Sequence, residues 1–223
     1  ACVFENGFVT IMKGTWKIRV IKVSEVPVTY GGKALHNVMN CLPAVLSTYF
    51  WRDIEIEDIK LALQTFVPSS AQTPGRLNMF QFKHFQFLVD FAHNPAGLEL
   101  LCDFISKLDG EPKVGIISGT GDRRDEDIKE LGRISGRSFD EIIIRQDKNL
   151  RGRTAEEIVN LLVEGINETK TKDIPIEIIY NEKEAIMHAY NNAKPGSLIT
   201  IMCDVVAEAL DLIKGLKEKE DAE

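Results

Sequence analysis

The segment LVDFAHNPAGLELL, residues 88–101, begins as an apolar run and ends with leucines at helical spacing, and its reading decides the fold. Between the two it sets Asp90, His93 and Asn94, three hydrogen-bonding side chains where a short turn would be enough. Asn94 directly before Pro95 is an N-cap with proline at the first helical position, a sufficient local reason for that residue. A strand that passes through a few polar residues into a helix is the first half of a βαβ unit.

The same pattern repeats toward the C-terminus. KVGIIS (113–118), EIII (141–144), IEIIY (176–180) and SLITIMC (197–203) are apolar runs, each followed by a helical segment. Thr154 with Glu157, Asn181 with Glu184, and Asp204 mark helix starts. Five such units with nearly continuous apolar strands predict a mostly parallel sheet covered on both faces, a doubly wound, Rossmann-like α/β domain.

Toward the N-terminus the pattern changes. Residues 3–28 form β-rich runs broken at Asn6-Gly7 and Gly14-Thr15, which are hairpin signals. In KALHNVMNCLPAVLSTYF (33–50), Leu35, Val38, Met39, Leu42, Val45, Leu46, Tyr49 and Phe50 share one helical face. His36, Asn37 and Asn40 fall on the other. Two asparagines and a histidine in one turn are poor helix formers and good readers of a heterocycle's edge, although a wet helix face is the commoner reason for such residues. Interior Pro43 should remove one helical hydrogen bond and kink this helix. A second helix is expected from Ile56 to Phe66, and VPSSAQTPG (67–75) reads as a linker. The expected division is a small α+β segment, 1–73, and an α/β domain, 74–223.

At 223 residues and 44% hydrophobic composition the chain can bury a substantial core. It has no apolar stretch long enough to span a membrane and no signal-peptide pattern at ACVFENGFVT, so a cytoplasmic protein is expected. Cys2, Cys41, Cys102 and Cys203 lie far apart without a CxxC pair, which predicts neither a zinc site nor a disulfide framework. The net charge of -7 argues against a general nucleic-acid binder, despite four basic residues against one acidic in RQDKNLRGR (145–153).

In open α/β sheets, ligands bind outside the carboxyl ends of the strands. The loops there carry Asp90, His93 and Asn94 after the first strand, Asp122 and Arg123 after the second, and Asp147, Asn149 and Arg151 after the third. SGTGDRR (118–124) has Arg124 where a dinucleotide fingerprint would place its third glycine. Its amides can meet an anion at a helix N-terminus, or Asp122 can simply cap that helix. Arginine forks in RQDKNLRGR suit a carboxylate while Asp147 suits an ammonium or guanidinium group, so the loop fits an amino acid or is a solvated basic loop.

In order along the chain, HNVMN, TPGRLNMF, VDFAHNPAG, GDRRDEDIKELGR and IIIRQDKNLRGR resemble the Mur ligase family. GDRRDEDI followed by RGR is most similar to its cyanophycin-synthesising branch. The resemblance implies the end of a central ATPase domain over 1–73 and the complete C-terminal α/β domain over 74–223. It also implies ATP-dependent amide formation through an acyl phosphate, with ATP and Mg2+ as cofactors of the whole enzyme. By resemblance, Asn37 and Asn40 lie near the adenine, Arg76 reaches the nucleotide from the hinge, and Asp90 and His93 contact ribose and phosphates. Asp122, Arg123, Asp147, Asn149 and Arg151 match the place where related ligases hold the incoming amino acid. Arginine, joined to an aspartate side-chain carboxylate, is the expected pair, although the Asp-Asn-Pro-Arg string of diaminopimelate-adding relatives is missing and leaves the amino acid open. No GxxxxGK[ST] occurs, so the chain is expected to be inactive alone. No resident metal site, nucleic acid or membrane is expected, and homo-oligomerisation stays open. The alternatives are a non-catalytic nucleotide- or amino-acid-binding module, or the C-terminal part of a cell-wall ligase.

Overall fold

The computed structural model describes residues 1–51 and 53–222. Two compact units emerge: Ala1–Pro68 with Asp103–Leu108, and Ser69–Cys102 with Asp109–Glu223.

The first unit opens with a three-stranded antiparallel sheet, β1 (Cys2–Glu5), β2 (Phe8–Lys13) and β3 (Trp16–Lys22), in that order. The first turn uses Asn6 and Gly7 at φ 52° and 80°, the positive values that a two-residue hairpin loop of the primed type demands. Helix α1 (Leu35–Tyr49) covers this sheet with Val38, Cys41, Leu42 and Val45, and α2 (Ile56–Thr65) adds Ile59. The helix runs unbroken through Pro43, whose side chain is exposed. Three members of the expected apolar face, Leu35, Met39 and Phe50, are exposed as well. The buried stripe is narrower than the sequence pattern because one small sheet cannot cover eight side chains.

The second unit is a six-stranded sheet with β4 (Asn78–Gln81), β5 (Gln86–Asp90), β6 (Lys113–Ile117), β7 (Glu141–Ile144), β8 (Ile176–Ile178) and β9 (Leu198–Met202). The order is β4-β5-β9-β6-β7-β8, with β4 antiparallel to β5 and every other pair parallel. The last strand therefore inserts between the first two parallel ones, and all five of its residues are buried. Helices α3 (Pro95–Ser106), α4 (Asp125–Ser138), α5 (Ala155–Thr169), α6 (Glu182–Asn191) and α7 (Val206–Ala222) follow β5 to β9 in turn. Strand alternation sends Phe87, Val89, Val114, Ile116, Ile143, Ile199 and Ile201 into one core with Ala185, Ile186 and Ala189 of α6 and Ala209, Leu210 and Ile213 of α7. Each large aliphatic side chain buried in this way contributes about 1.5–3 kcal/mol.

Helices α4 and α5 approach through glycines. A Cβ on Gly132 would lie 2.2 Å from the Leu162 carbonyl oxygen, and one on Gly165 would lie 2.0 Å from that of Lys129. Only hydrogen fits between these backbones.

Three helix starts behave as the sequence predicts. Asn94 Oδ1 accepts the Gly97 amide at 2.8 Å, Thr154 and Glu157 form a reciprocal capping box, and Asn181 Oδ1 accepts the Glu184 amide at 3.1 Å. Helix α4 begins after Arg124 without a side-chain cap, and Asp122, the cap in one of the two readings of that loop, pairs with Arg151 instead. Helix α7 begins at Val206, shortly after Asp204, which also accepts the amide of Lys148 at 2.8 Å. The charged end of α7 is tied to the sheet's edge hairpin, where Glu220 accepts the Lys83 amide through both carboxylate oxygens, at 3.1 and 3.0 Å.

Candidate functional site

At the carboxyl end of β5, the turn 73–78 folds back onto the strand. Gly75, at φ 68°, packs so closely on Val206 that a Cβ would meet its methyls at 2.8 and 2.9 Å. Its amide donates to Asn78 Oδ1 at 2.7 Å and its carbonyl accepts from the Phe91 amide at 2.9 Å. Asp90, 8% exposed, accepts the Leu77 amide at 2.9 Å. Burial pushes its carboxyl above the usual carboxylate range, while the Leu77 amide, the Arg76 charge and the amides of Ala92 and Phe91 hold it down. Arg76 lies over the Phe91 ring at 5.8 Å, and that ring meets His93 at 5.0 Å. His93 Nδ1–H donates to the Phe91 carbonyl at 3.0 Å, which leaves Nε2 facing solvent. Arg76, Asp90 and His93 thus meet at one strand end, with the Asp90 carboxyl turned inward and the Arg76 guanidinium and His93 ring outward.

The loops after β6 and β7 dock on each other. A Cβ on Gly121 would sit 1.9 Å from the Leu150 carbonyl oxygen, so only glycine allows the approach. Arg153 donates to the carbonyls of Gly121 and Arg123, both at 2.9 Å. Arg151, at φ 50°, ion-pairs with Asp122, and its amide donates to Asn149 Oδ1 at 2.9 Å. Arg123 Nε is buried and has no hydrogen-bond partner among the described residues. Four of the five residues expected on the amino-acid side, Asp122, Arg123, Asn149 and Arg151, therefore belong to this pair of loops, with Asp122 and Arg151 neutralising each other.

The fifth, Asp147, leads elsewhere. Its Oδ1 accepts from Arg145 Nη1 at 2.7 Å and from Ser118 Oγ at 3.0 Å. Arg145 is only 1% exposed, yet nothing in EIII signals that the next residue will bury a charge. Its Nε lies 3.1 Å from both the Met202 carbonyl oxygen and Glu182 Oε2. Burial raises the Glu182 carboxyl, against the Arg145 charge and the Asp204 and Val205 amides. Asp147, Glu182, Asp204 and Glu208 line a cavity of about 520 Å³, together with Lys148, Lys183 and Tyr180 and the apolar Ile186, Ala209 and Leu212. Composition misses this cavity because its members come from the loop after β7 and from the starts of α6 and α7 with the loops before them.

In the first unit, Asn37 Nδ2 donates to the Val28 carbonyl at 2.8 Å, so this amide holds its own helix, and Asn40 is exposed. Among the described residues, no group of three His, Cys, Asp or Glu side chains is arranged to hold a metal ion, and no helix is long and apolar enough to cross a membrane.

Residues 75–204 match the family model of the Mur ligase, glutamate ligase domain. The chain belongs to the Mur ligase family. The match begins at Gly75, in the turn that packs on Asp90, and ends at Asp204 beside the cavity. Within the family, cyanophycin synthetase of Crocosphaera subtropica is 39% identical over 213 residues, 96% of this chain and 24% of that protein. The UDP-N-acetylmuramoyl-L-alanyl-D-glutamate--2,6-diaminopimelate ligase of Aquifex aeolicus is 28% identical over 161 residues, 72% of this chain and 31% of that one. The chain thus spans about a quarter of the length of the cyanophycin synthetase it matches. E. coli FolC, in complex with DHPP and ADP, shares the fold, with a TM-score of 0.68 at 16% identity over 97% of this chain and 46% of that structure.

Proposed function

We propose that the chain serves as the C-terminal part of an ATP-dependent carboxylate-amine ligase that joins arginine to aspartate side-chain carboxylates. One observation carries this reading: the docked β6 and β7 loops hold both signs of charge, Arg151 paired with Asp122, while Asp147 on the same β7 loop accepts from Arg145 and Ser118. A zwitterion with a cationic side chain satisfies both. The greater identity to cyanophycin synthetase than to diaminopimelate ligase supports arginine over diaminopimelate.

In the proposed reaction an acceptor carboxylate attacks the γ-phosphate of ATP and releases ADP. The amine then attacks the acyl phosphate, forming the amide and releasing phosphate. On this side of the enzyme the residues bind and orient. Arg151 exchanges Asp122 for the α-carboxylate of the incoming amino acid, and the freed Asp122 or Asp147 accepts from the guanidinium. Arg76 and His93 Nε2 face the nucleotide phosphates from the end of β5, while Asp90 holds the turn that presents Arg76. Asn40 remains a proposed neighbour of the adenine, and the Asn37 amide would have to leave Val28 to join it. No described cluster fits Mg2+, and the residues present give it no step.

We further read residues 1–73 as the end of the central ATPase domain and 74–223 as the amino-acid-bringing domain. Without GxxxxGK[ST], this chain alone should not turn over ATP. Reconstitution tests the reading: a polypeptide carrying this chain behind a P-loop domain should release ADP only when L-arginine and an aspartate-rich acceptor are both present. ADP release indifferent to L-arginine, or turnover by the 223-residue chain alone, would contradict it.

A further inference from the structure

We propose that Arg145 is a positioning residue that sets Asp147 and Glu182 for a cationic amino-acid side chain; this rests on the reading of Asp147 as an amino-acid contact. Its contacts form a closed ring. Arg145 Nη1 holds Asp147 Oδ1 at 2.7 Å, and Nε stands 3.1 Å from Glu182 Oε2. Glu182 Oε2 accepts the amide of Asp204 at 2.6 Å. Asp204 Oδ2 accepts the amide of Lys148 at 2.8 Å, and Lys148 is the neighbour of Asp147. One buried guanidinium thereby ties together the loops that leave β7, β8 and β9, and Ser118 on Asp147 brings in the loop after β6.

Burying a charge is a poor way to gain stability, because desolvation offsets most of the attraction and apolar residues of equal volume often do as well. The benefit of this arrangement is geometric. A planar fork with donors in fixed directions holds two carboxylates and a carbonyl in set orientations, whereas a lysine ammonium is a point charge on a flexible stem and fixes no such plane. Both carboxylates it grips line the 520 Å³ cavity, as do Asp204 and Glu208. Four carboxylates then face Arg145, Lys148 and Lys183, and Lys148 Nζ is engaged by Glu208 at 2.6 Å. The excess is negative, so a guanidinium or ammonium group on an aliphatic stem suits a cavity walled by Tyr180, Ile186 and Leu212.

The experiment is titration of the 223-residue chain with L-arginine, followed by calorimetry and by amide chemical shifts, for wild type, Arg145→Lys, Asp147→Asn and the double variant. Arg145→Lys should weaken L-arginine binding at least fivefold. Asp147→Asn should weaken it in wild type but add little once Arg145 is Lys, since the carboxylate is then no longer held. A purely structural Arg145 would lower the unfolding temperature and leave the Asp147→Asn increment intact, which overturns the proposal. Should Arg145→Lys not fold, Glu182→Gln opens the ring while leaving Arg145 in place, and unchanged L-arginine affinity in that variant is equally fatal. If wild type binds no L-arginine at all, the amino-acid reading itself fails and the proposal with it; if wild type binds and Arg145→Lys binds as well, only the positioning role is lost.

Discussion

The amide of Leu77 donates to Asp90 Oδ2 at 2.9 Å, so the carboxylate that ends β5 is committed to the turn that carries Arg76. Leu77 needs that hold, because its φ of 50° is an unfavourable conformation for a branched side chain. Asp90→Ala should therefore destabilise the chain by about 1–3 kcal/mol, the cost of leaving a buried donor without its acceptor. Equilibrium denaturation in urea would check it, and a loss under 0.5 kcal/mol would show the turn to be held by something else.

Asp90 also has a pH signature. Its folded-state carboxyl is raised by burial, so its contribution to stability is fully present below the ordinary carboxylate range and is lost as pH rises through the raised folded value. Asp90→Asn removes that dependence. The stability of wild type minus that of Asp90→Asn should be greatest at acidic pH and fall toward neutrality, measured by urea unfolding at a series of pH values. A difference that grows with pH would mean that the amides of Leu77, Phe91 and Ala92 outweigh burial.

Two glycines in helices should answer alanine in opposite ways. Gly165→Ala drives a Cβ against the Lys129 carbonyl at 2.0 Å and should cost about 1–3 kcal/mol as the helices separate. Gly215, in α7, has nothing within 4 Å of a built Cβ, so Gly215→Ala should stabilise by about 0.5–1 kcal/mol. Thermal unfolding of the two variants side by side would decide.

Much of this architecture is legible in the sequence, and the reasons differ by element. The parallel strands show because both faces are covered, which forces runs such as SLITIMC. Capping at Asn94, Thr154 and Asn181 is local chemistry and transfers directly. The antiparallel strand β4 escapes notice because NMFQ is short and lies inside what reads as a linker and its sequel. The Asp122 and Asp204 side chains take partners 29 and 56 residues away in the chain, which no local pattern encodes. The buried role of Arg145 is hidden for the same reason: part of its charge is balanced by Glu182, the first residue of α6 and distant along the chain.

Arg151 separates stability from binding. Its pair with Asp122 is about half exposed on both sides, so Arg151→Ala should change folding stability by less than about 1 kcal/mol. In an assembled ligase the same change removes a charged contact to the amino acid's α-carboxylate and should cost about 1.5–3 kcal/mol, seen in the KM for that amino acid. ATP dependence altered alone would instead place Arg151 on the nucleotide side.

The most direct measurement maps where L-arginine lands. With backbone amides assigned in the 223-residue chain, titration should shift resonances of residues 118–124, 145–151 and 204–208 together, saturably, and L-glutamate at equal concentration should not reproduce the pattern. Saturable shifts confined to other residues, or an identical response to both amino acids, would contradict the assignment of this sheet edge to a cationic amino acid.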